Sequence, residues 1–389
     1  MNIVYCIDAV YNLSGTDIVT IAKANALASI PGNRVWVVTA GNPRSLMYRL
    51  KNVSVTDLGV RYYEHDNEGL LRAIIDLQKT RKLHKQKLTD FLENVMPDVV
   101  ISSGVLTKIF LPTLKLPSNP VFIRELHADR HYNRDSSKGL IKKLISLFGE
   151  WYDFHWKIHA YDKVAVLTER ERTGTWKNWD KLVVIPNPIT HWTGLLSDGK
   201  AKIAVSAGRL APMKNFSGLI NIWSKVVKRH PDWVLQLWGT GELQKELEDQ
   251  IEQMGMNEYV HMMGYTTEMG EMMSKSSLMV LASLSESFSL VTLEAMSVGI
   301  PTVVYNCPGG ISYVAKDGET GYLVPLHDED TFVERVCQLI ENEDQRKAFG
   351  MAGLRESEKY KIDNIVQRWM TLFQELLAKK RGEKTYKMK

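Results

Sequence analysis

The chain has 389 residues, of which 44% are hydrophobic and 24% are charged, and its formal net charge is +4. This length is typical of two domains, and the composition excludes a disordered chain. No run of about 18 apolar residues is present, so no segment is predicted to span a membrane. Residues 1–190 carry a net charge of +7 and the remainder −3. This difference favours an anionic partner or membrane surface for the first half, or is ordinary surface asymmetry.

The first residues, MNIVYCIDA, are predicted to form a buried strand rather than a signal peptide, because no basic stretch precedes a long apolar run. A helical pattern over 17–29 and a second strand, RVWVVTA, complete a βαβ unit, which is typical of a doubly wound domain. Gly15 lies in the turn after the first strand, where ligands approach parallel sheets. Simple turn geometry is the alternative explanation for this glycine.

Three cysteines, Cys6, Cys307 and Cys337, have no paired spacing. They are predicted to be buried, reduced thiols of a cytosolic protein.

Two further buried strands are predicted at 97–103 and 121–126, after a helix over 67–94. His127 follows the second of these strands, and a strand end is where this fold class places site residues. A structural histidine is the alternative. The stretch 139–160 mixes lysines and aromatic residues at helical spacing, which favours either a helix that packs in the core or one that touches a membrane interface.

The second half opens with a polar stretch, 189–200, predicted to be a hinge between domains. A strand over 202–207 then ends at Gly208 and is followed by Arg209, with Lys214 five residues later. These two cations at a strand end could neutralise a leaving diphosphate. A glycine turn after the next strand, with Gly239 and Gly241, is predicted to lie near a nucleotide base.

The stretch SLSESFSLVTLEAMSVGIP, residues 283–301, predicts a turn with Glu286 and then a helix over 289–298 that contains Glu294. The start of a helix suits a phosphate, and a carboxylate can accept hydrogen bonds from two vicinal hydroxyls. Eight helical residues span about 12 Å, so the two glutamates could hold the two ends of a nucleotide sugar. Two surface glutamates without a ligand are the alternative.

Asp328 and Asp330 form an Asp-x-Asp pair, which is a metal motif in some other proteins. They open a predicted helix, so capping and compensation of the helix dipole are the favoured explanation. No metal and no other cofactor is predicted. A final amphipathic helix is predicted over 362–380.

Residues 286–325, ESFSLVTLEAMSVGIPTVVYNCPGGISYVAKDGETGYLVP, resemble the signature of retaining glycosyltransferases of family 4, which have the GT-B fold. The resemblance covers nearly the whole chain and is clearest in the second half. It implies that Glu286 contacts the donor sugar and Glu294 the nucleotide ribose. The segment GRLAPMKN matches the family in Arg209 and Lys214, which would bind the donor phosphates. Members often have two adjacent glycines at the first turn, where this chain has Ser14-Gly15.

The resemblance implies an α/β protein with two Rossmann-like, doubly wound domains that face each other across a cleft. The predicted parts are an acceptor-binding domain, a hinge, a nucleotide-sugar domain, a helix that crosses back to the first domain and a basic tail, at 1–188, 189–200, 201–361, 362–380 and 381–389.

The implied reaction is metal-independent transfer of a hexose or N-acetylhexosamine, with retention, from a nucleotide sugar, expected to be UDP-linked. The acceptor would be a hydroxyl of a glycan or lipid-linked glycan in surface-polysaccharide synthesis. The predicted catalytic residues are Arg209, Lys214, Glu286 and His127. The predicted donor-binding residues are Gly15, Gly208, Gly239, Gly241, Ser287, Phe288, Ser289, Leu290 and Glu294.

The expected location is the cytoplasm, with peripheral membrane contact through the basic first domain left open and no nucleic-acid partner. Two alternatives remain: a non-catalytic module that binds nucleotide sugars, and a GT-B epimerase or phosphorylase.

Overall fold

The structure is a computed structural model, and it describes most of the chain. The chain forms two compact units. The first contains Met1–Pro188 and Ile362–Lys389, and the second contains Ile189–Lys361. The described residues are 1–8, 15–41, 50–62, 70–108, 110–127, 149, 151–175, 179–190 and 192–382, with 70–74 described by their backbone alone.

The first unit is built on a seven-stranded parallel sheet of order β3-β2-β1-β4-β5-β6-β7. Its strands are β1 (Asn2–Ile7), β2 (Arg34–Thr39), β3 (Val53–Asp57), β4 (Val99–Ser102), β5 (Val121–Glu125), β6 (Lys163–Val166) and β7 (Leu182–Val184). Alternate side chains of β1 enter different cores, with Ile3 and Tyr5 on one face and Val4 and Cys6 on the other. Apolar side chains therefore cover both faces, as a doubly wound sheet requires.

The helices of the first unit include α1 (Gly15–Ala28) and α2 (Leu70–Val95), and the chain returns at its end with α10 (Ile362–Lys380). The apolar side chains of α10, including Trp369 and Phe373, are buried in one core together with Ile21 and Leu27 of α1. Arg368 also donates a hydrogen bond to the carbonyl oxygen of Val184 at 2.7 Å. The last helix is thus an integral part of the first unit.

The second unit has a six-stranded parallel sheet of order β10-β9-β8-β11-β12-β13. The strands are β8 (Ile203–Ala207), β9 (Val234–Trp238), β10 (Val260–Gly264), β11 (Leu278–Leu281), β12 (Thr302–Asn306) and β13 (Gly321–Pro325). The helices are α3 (Phe216–Val226), α4 (Gln244–Gln253), α5 (Met269–Ser274), α6 (Leu290–Ser297), α7 (Ile311–Val314), α8 (Glu329–Glu341) and α9 (Glu343–Ser357). The strand order reverses between β8 and β11, which is where doubly wound sheets bind ligands.

Residues 189–200, predicted as a hinge, lie within the second unit. The backbone N–H of Ile189 donates to Tyr360 at 2.9 Å, and that of Ser197 donates to Val298 at 2.9 Å. These hydrogen bonds fix both ends of the segment to the unit that follows it in the sequence.

Half of the predicted helix over 139–160, residues 139–148 and 150, lies outside the described residues. The described part contains a π-helix, Asp153–Lys157, followed by a 3₁₀-helix, Ile158–Ala160. Trp151 and Trp156 are 48% and 64% exposed, so packing of these two rings in a core is ruled out.

The three cysteines are free and buried, as predicted. Burial raises the pKa of Cys6 and of Cys307 to about 12, which keeps both thiols protonated and unreactive at neutral pH.

Candidate donor site in the second unit

The candidate site lies at the carboxyl ends of β8 and β11, which pair in parallel. The loop after β8 carries Arg209 and Lys214, and the loop after β11 carries Glu286. Because neighbouring parallel strands end at the same edge of the sheet, these loops are adjacent although they are about 70 residues apart in sequence. Two hydrogen bonds join these loops. Leu284 N donates to Met213 O at 2.8 Å, and the side-chain amide of Asn215 donates to Ala282 O at 3.1 Å.

Lys214 and Glu286 form an ion pair, with Lys214 Nζ 2.6 Å from Glu286 Oε1. The Glu286 side chain is only 6% exposed, and that of Lys214 is 21% exposed. Lys214 ends a short 3₁₀-helix, Pro212–Lys214, and Asn215 follows it in the left-handed conformation with φ of 50°. This turn directs the lysine back toward the β11 loop.

The backbone of Glu286 is fixed by the loop after β12. Glu286 N donates to Pro308 O at 3.2 Å, and Gly310 N donates to Glu286 O at 2.7 Å. Gly309 has φ of +109°, and a Cβ there would lie 2.0 Å from Glu286 O. Only glycine allows this approach, which explains the first glycine of the CPGG segment.

Arg209 is exposed, and within the described part of the chain it forms no ion pair. Its loop is held by the turn after β9, because Gly208 N donates to Trp238 O and Leu210 N donates to Thr240 O, both at 3.0 Å. A Cβ on Gly239 would lie 1.9 Å from Gly208 O, and one on Gly241 would lie 2.3 Å from Leu210 O. Both predicted donor-binding glycines are therefore required for packing of the Arg209 loop.

The four residues 287–290, just before and at the start of α6, differ in which of their groups could contact a ligand. Phe288 is 2% exposed, and its ring packs against Tyr313 and Tyr360, so its side chain is part of the core. Ser289 has φ of 58° and makes no side-chain hydrogen bond to the backbone of the first turn. Leu290 is the first residue of the helix, and Ser287 lies in the loop before it. The leading N–H groups of α6 can therefore bind an anion.

Glu294 lies in the second turn of α6 and is 6% exposed. Its Oε1 accepts a hydrogen bond of 2.8 Å from Thr190 Oγ1. No feature of the sequence around Thr190 indicates this contact, since the two residues are 104 positions apart.

The two remaining predicted site residues lie in the first unit. Gly15 is the first residue of α1, and the turn that precedes it, 9–14, lies outside the described residues. The side chain of His127, just after β5, is 6% exposed, and its Nε2 lies 3.3 Å from Glu125 Oε2. Glu125 is in turn paired with Lys23 of α1. Neither Glu125 nor Lys23 was predicted, because buried charged partners leave no pattern in the sequence.

The Asp-x-Asp pair has the structural role that its helix start predicts. Asp328 is the N-cap of α8 and accepts a hydrogen bond from Thr331 N at 3.0 Å, which lowers the pKa of its carboxyl group. Asp330 pairs with Lys225 at 3.1 Å. Among the residues that the structure describes, no group of three or more His, Cys, Asp or Glu side chains is arranged to hold a metal ion. Likewise, no helix in the described ranges has the length and apolar character needed to cross a membrane.

Comparisons with known proteins agree with this fold. Residues 193–355 match the model of the family "Glycosyl transferases group 1". The amylovoran biosynthesis glycosyltransferase AmsD of Erwinia amylovora is 27% identical over 380 residues, which are 93% of this chain and 97% of AmsD. The exopolysaccharide phosphotransferase SCO2592 of Streptomyces coelicolor is 32% identical over 228 residues, but this chain spans only 24% of its length.

Among solved structures, TarM of S. aureus in complex with fondaparinux, α-GlcNAc-glycerol and UDP is similar, with a TM-score of 0.73 and 16% identity. The similarity covers 96% of this chain and 99% of TarM. The match of residues 193–355 to this family and the similarity to TarM agree on one point, which is that the chain has the two-domain GT-B fold.

Proposed function

We propose that this protein is a glycosyltransferase of family 4. It moves a hexose or N-acetylhexosamine from a UDP-sugar to a hydroxyl of a glycan or lipid-linked acceptor during synthesis of a surface polysaccharide, and it retains the anomeric configuration. The match to glycosyl transferases group 1 supports the transferase activity. The name of AmsD supports polysaccharide synthesis, and the UDP in the TarM complex supports the donor nucleotide.

The observation that carries this proposal is the contact between Lys214 and Glu286, 2.6 Å apart at the carboxyl ends of β8 and β11. A cation and a carboxylate so close together suit two neighbouring groups of one ligand. In a nucleotide sugar these groups are the second phosphate, which binds a cation, and the sugar bonded to it, whose hydroxyls bind a carboxylate. We therefore assign the bond that is cleaved to the position of this pair.

The resemblance to family 4 suggests the roles of the other residues. Arg209, exposed on the neighbouring loop, binds the diphosphate together with Lys214 and the start of α6. Glu294, oriented by Thr190, holds the ribose. His127 of the first unit contacts the donor sugar or the acceptor.

In the proposed reaction, the bond between the anomeric carbon and the phosphate oxygen breaks, and the acceptor hydroxyl forms a new bond on the same face. The departing phosphate oxygen takes the proton of that hydroxyl. Arg209 and Lys214 stabilise the negative charge that develops on the phosphate, which is the electrostatic contribution that usually dominates catalysis. Glu286 positions the sugar and does not attack it, so no covalent intermediate with the enzyme forms.

We also propose that the enzyme works in the cytoplasm without a metal ion, and that its basic first unit touches the membrane where a lipid-linked acceptor is held. In described residues of this unit, Trp151 and Trp156 are exposed, and Lys157 Nζ lies 5.5 Å from the Tyr152 ring centroid. Exposed aromatic rings beside lysines are typical of surfaces that bind a membrane interface.

The test is a panel of UDP-, GDP-, ADP- and dTDP-sugars, measured first by thermal shift and then by release of the nucleoside diphosphate, with and without EDTA. We expect one or more UDP-sugars to raise the melting temperature and to be hydrolysed slowly, and we expect EDTA to leave the rate unchanged. If no nucleotide sugar binds, the proposed function is wrong. A rate that EDTA abolishes and Mn²⁺ restores would refute metal independence but not the rest of the proposed function.

A further inference from the structure

Beside His127, the first unit contains buried polar side chains that the proposed donor contacts leave unused. Glu125 ends β5, and its side chain is only 2% exposed. Its Oε1 pairs with Nζ of Lys23, which is 1% exposed, and its Oε2 accepts a hydrogen bond of 2.9 Å from Ser103 Oγ. A buried ion pair stabilises a fold little more than well-packed apolar residues do, so stability alone explains this arrangement poorly.

His127 has two buried ring nitrogens that lack well-formed hydrogen bonds to any described residue. The nitrogen with a polar neighbour is Nε2, which lies 3.3 Å from Glu125 Oε2. A buried polar atom without a partner costs about 1–3 kcal/mol. A role in binding or catalysis is one of the few explanations for such an atom in a folded protein.

The charge of Glu125 determines which ring nitrogen of His127 carries the proton. Burial alone would raise the pKa of Glu125, but the charge of Lys23 and the contact with His127 outweigh burial and hold the pKa below its usual range. Glu125 is therefore ionised at neutral pH, and a carboxylate can only accept hydrogen bonds. Its charge favours the proton on the nearer ring nitrogen of His127, Nε2.

We propose that Glu125 is a positioning residue for His127. Its carboxylate accepts the Nε2–H of the neutral imidazole, so that Nδ1 is unprotonated and accepts a hydrogen bond from a sugar hydroxyl of the donor or acceptor. Lys23 and Ser103 fix the carboxylate from its other sides. The role of the sugar hydroxyl rests on the proposed function, whereas the tautomer depends only on the local geometry.

The tautomer can be measured directly in the full-length protein labelled with ¹⁵N-histidine. Long-range ¹H–¹⁵N correlation spectra distinguish the two neutral forms, and the His127 signals are those that disappear in His127→Gln. We expect the Nε2–H form at neutral pH. The Nδ1–H form would overturn the proposal, whether or not the enzyme turns over a sugar.

Two matched double variants test the part played by the carboxylate. Lys23→Met/Glu125→Leu replaces the ion pair with apolar side chains of similar size, which buried sites often tolerate. Lys23→Met/Glu125→Gln removes the same charges but keeps an acceptor oxygen. We expect the Leu variant to lose the fixed tautomer and to lower kcat/KM about tenfold or more, the scale of one charged hydrogen bond. We expect the Gln variant, whose amide oxygen can still accept from Nε2–H, to lose less of the tautomer preference and less of the rate than the Leu variant.

A comparison in the His127→Gln background distinguishes a positioning role of Glu125 from a general loss of structure. In the His127→Gln background, the Leu pair should lower kcat/KM by less than about twofold, because residues that act as a unit are not additive. UDP affinity should be unchanged in every variant, since the proposed UDP contacts lie in the second unit. Additive losses, or equal losses in the Leu and Gln variants, would contradict the proposal.

If the Leu variant does not fold, the tautomer of His127 in the unmodified protein and in the Gln variant still tests the proposal. Failure of the sugar panel would instead refute the proposed function and leave this result intact.

Discussion

Glu286 and Glu294 are equally buried but have different partners, Lys214 Nζ for the first and Thr190 Oγ1 for the second. Glu286 lies before α6 and Glu294 lies in its second turn. The two carboxylates are therefore unable to hold the same hydroxyls of a ligand. This difference at the scale of single residues is consistent with two separate roles, and the resemblance to family 4 implies the sugar for Glu286 and the ribose for Glu294.

Calorimetry with UDP should separate these two roles. Glu294→Gln should weaken both UDP and the UDP-sugar, by about one to two decades in affinity, because one charged hydrogen bond contributes roughly 1.5–3 kcal/mol. Glu286→Gln should leave UDP affinity nearly unchanged and lower turnover by a similar factor. An equal loss of UDP affinity in both variants would contradict the division.

Lys214→Ala should lower turnover by two orders of magnitude or more, which is the scale for loss of one preorganised electrostatic group. The matched control is Lys202→Ala in the same unit, because Lys202 pairs with Asp232 on the surface. The control should keep its turnover and its urea midpoint. Lys214→Ala should fold but unfold at a lower midpoint, because it leaves Glu286, which is 6% exposed, without its charged partner. Near-normal turnover of Lys214→Ala would rule out its role at the phosphate.

Sequence reasoning could predict the cations and glutamates of the candidate site because each lies in a short stretch with a recognisable strand end or helix start. The contacts of Thr190 and Lys23 could not be predicted from the sequence. Each meets its glutamate across more than 100 residues of chain. Such a contact depends on how distant elements pack together, and it leaves no periodicity or spacing in the sequence.

At the scale of elements, the candidate site depends on close approaches between loops. The loop of Gly239 and Gly241 touches the Arg209 loop, and the loop of Gly309 touches Glu286. At each contact a backbone carbonyl oxygen occupies the space of a missing Cβ. The glycines thus set the distances between the loops of the candidate site.

Gly309→Ala should displace Glu286, because the added Cβ would lie 2.0 Å from its carbonyl oxygen. The matched control is Gly318→Ala, since Gly318 also has a positive φ, +70°, but has no atom within 4 Å of an added Cβ. Both changes strain the backbone by about 1–2 kcal/mol. Overpacking should make Gly309→Ala less stable than the control by a further 1–3 kcal/mol or so. Urea unfolding measures this difference, and turnover should fall in Gly309→Ala alone. Equal behaviour of the two variants would show that the contact is unimportant.

The alternation of strands and helices was predictable, since continuous apolar strands and helical periodicity recur along the chain. The π-helix Asp153–Lys157 could not be predicted. Arg124 donates to both oxygens of Asp153, at 2.7 and 2.8 Å, and Lys108 lies 3.0 Å from the same carboxylate. These buried contacts hold the residue that begins the π-helix, and helical periodicity alone contains no information about them.

At the scale of the whole molecule, the positive charge of residues 1–190 and the exposed Trp151 and Trp156 belong to the same unit. Basic charge attracts a protein to anionic lipid over roughly a Debye length, about 8 Å at physiological salt, and aromatic rings then insert at the interface. The two features are therefore complementary.

Flotation with vesicles that contain anionic lipid should show binding that weakens as salt rises. Trp151→Ala/Trp156→Ala should reduce the bound fraction at low salt. The matched control, Leu195→Ala/Leu196→Ala, changes two exposed leucines of the second unit and should bind as the unmodified protein does. No flotation at low salt would contradict membrane contact.

The position of α10 in the chain affects how the protein folds during synthesis. The core around Ile3 and Tyr5 is completed by Trp369 and Phe373, but all of Ile189–Lys361 is translated before them. At about 5–20 residues per second, the first unit waits roughly 10–35 seconds with this apolar face uncovered, while the second unit, continuous in sequence, can already fold. The first unit therefore reaches its native core only after the second unit has been translated, and its uncovered apolar face can aggregate during that interval.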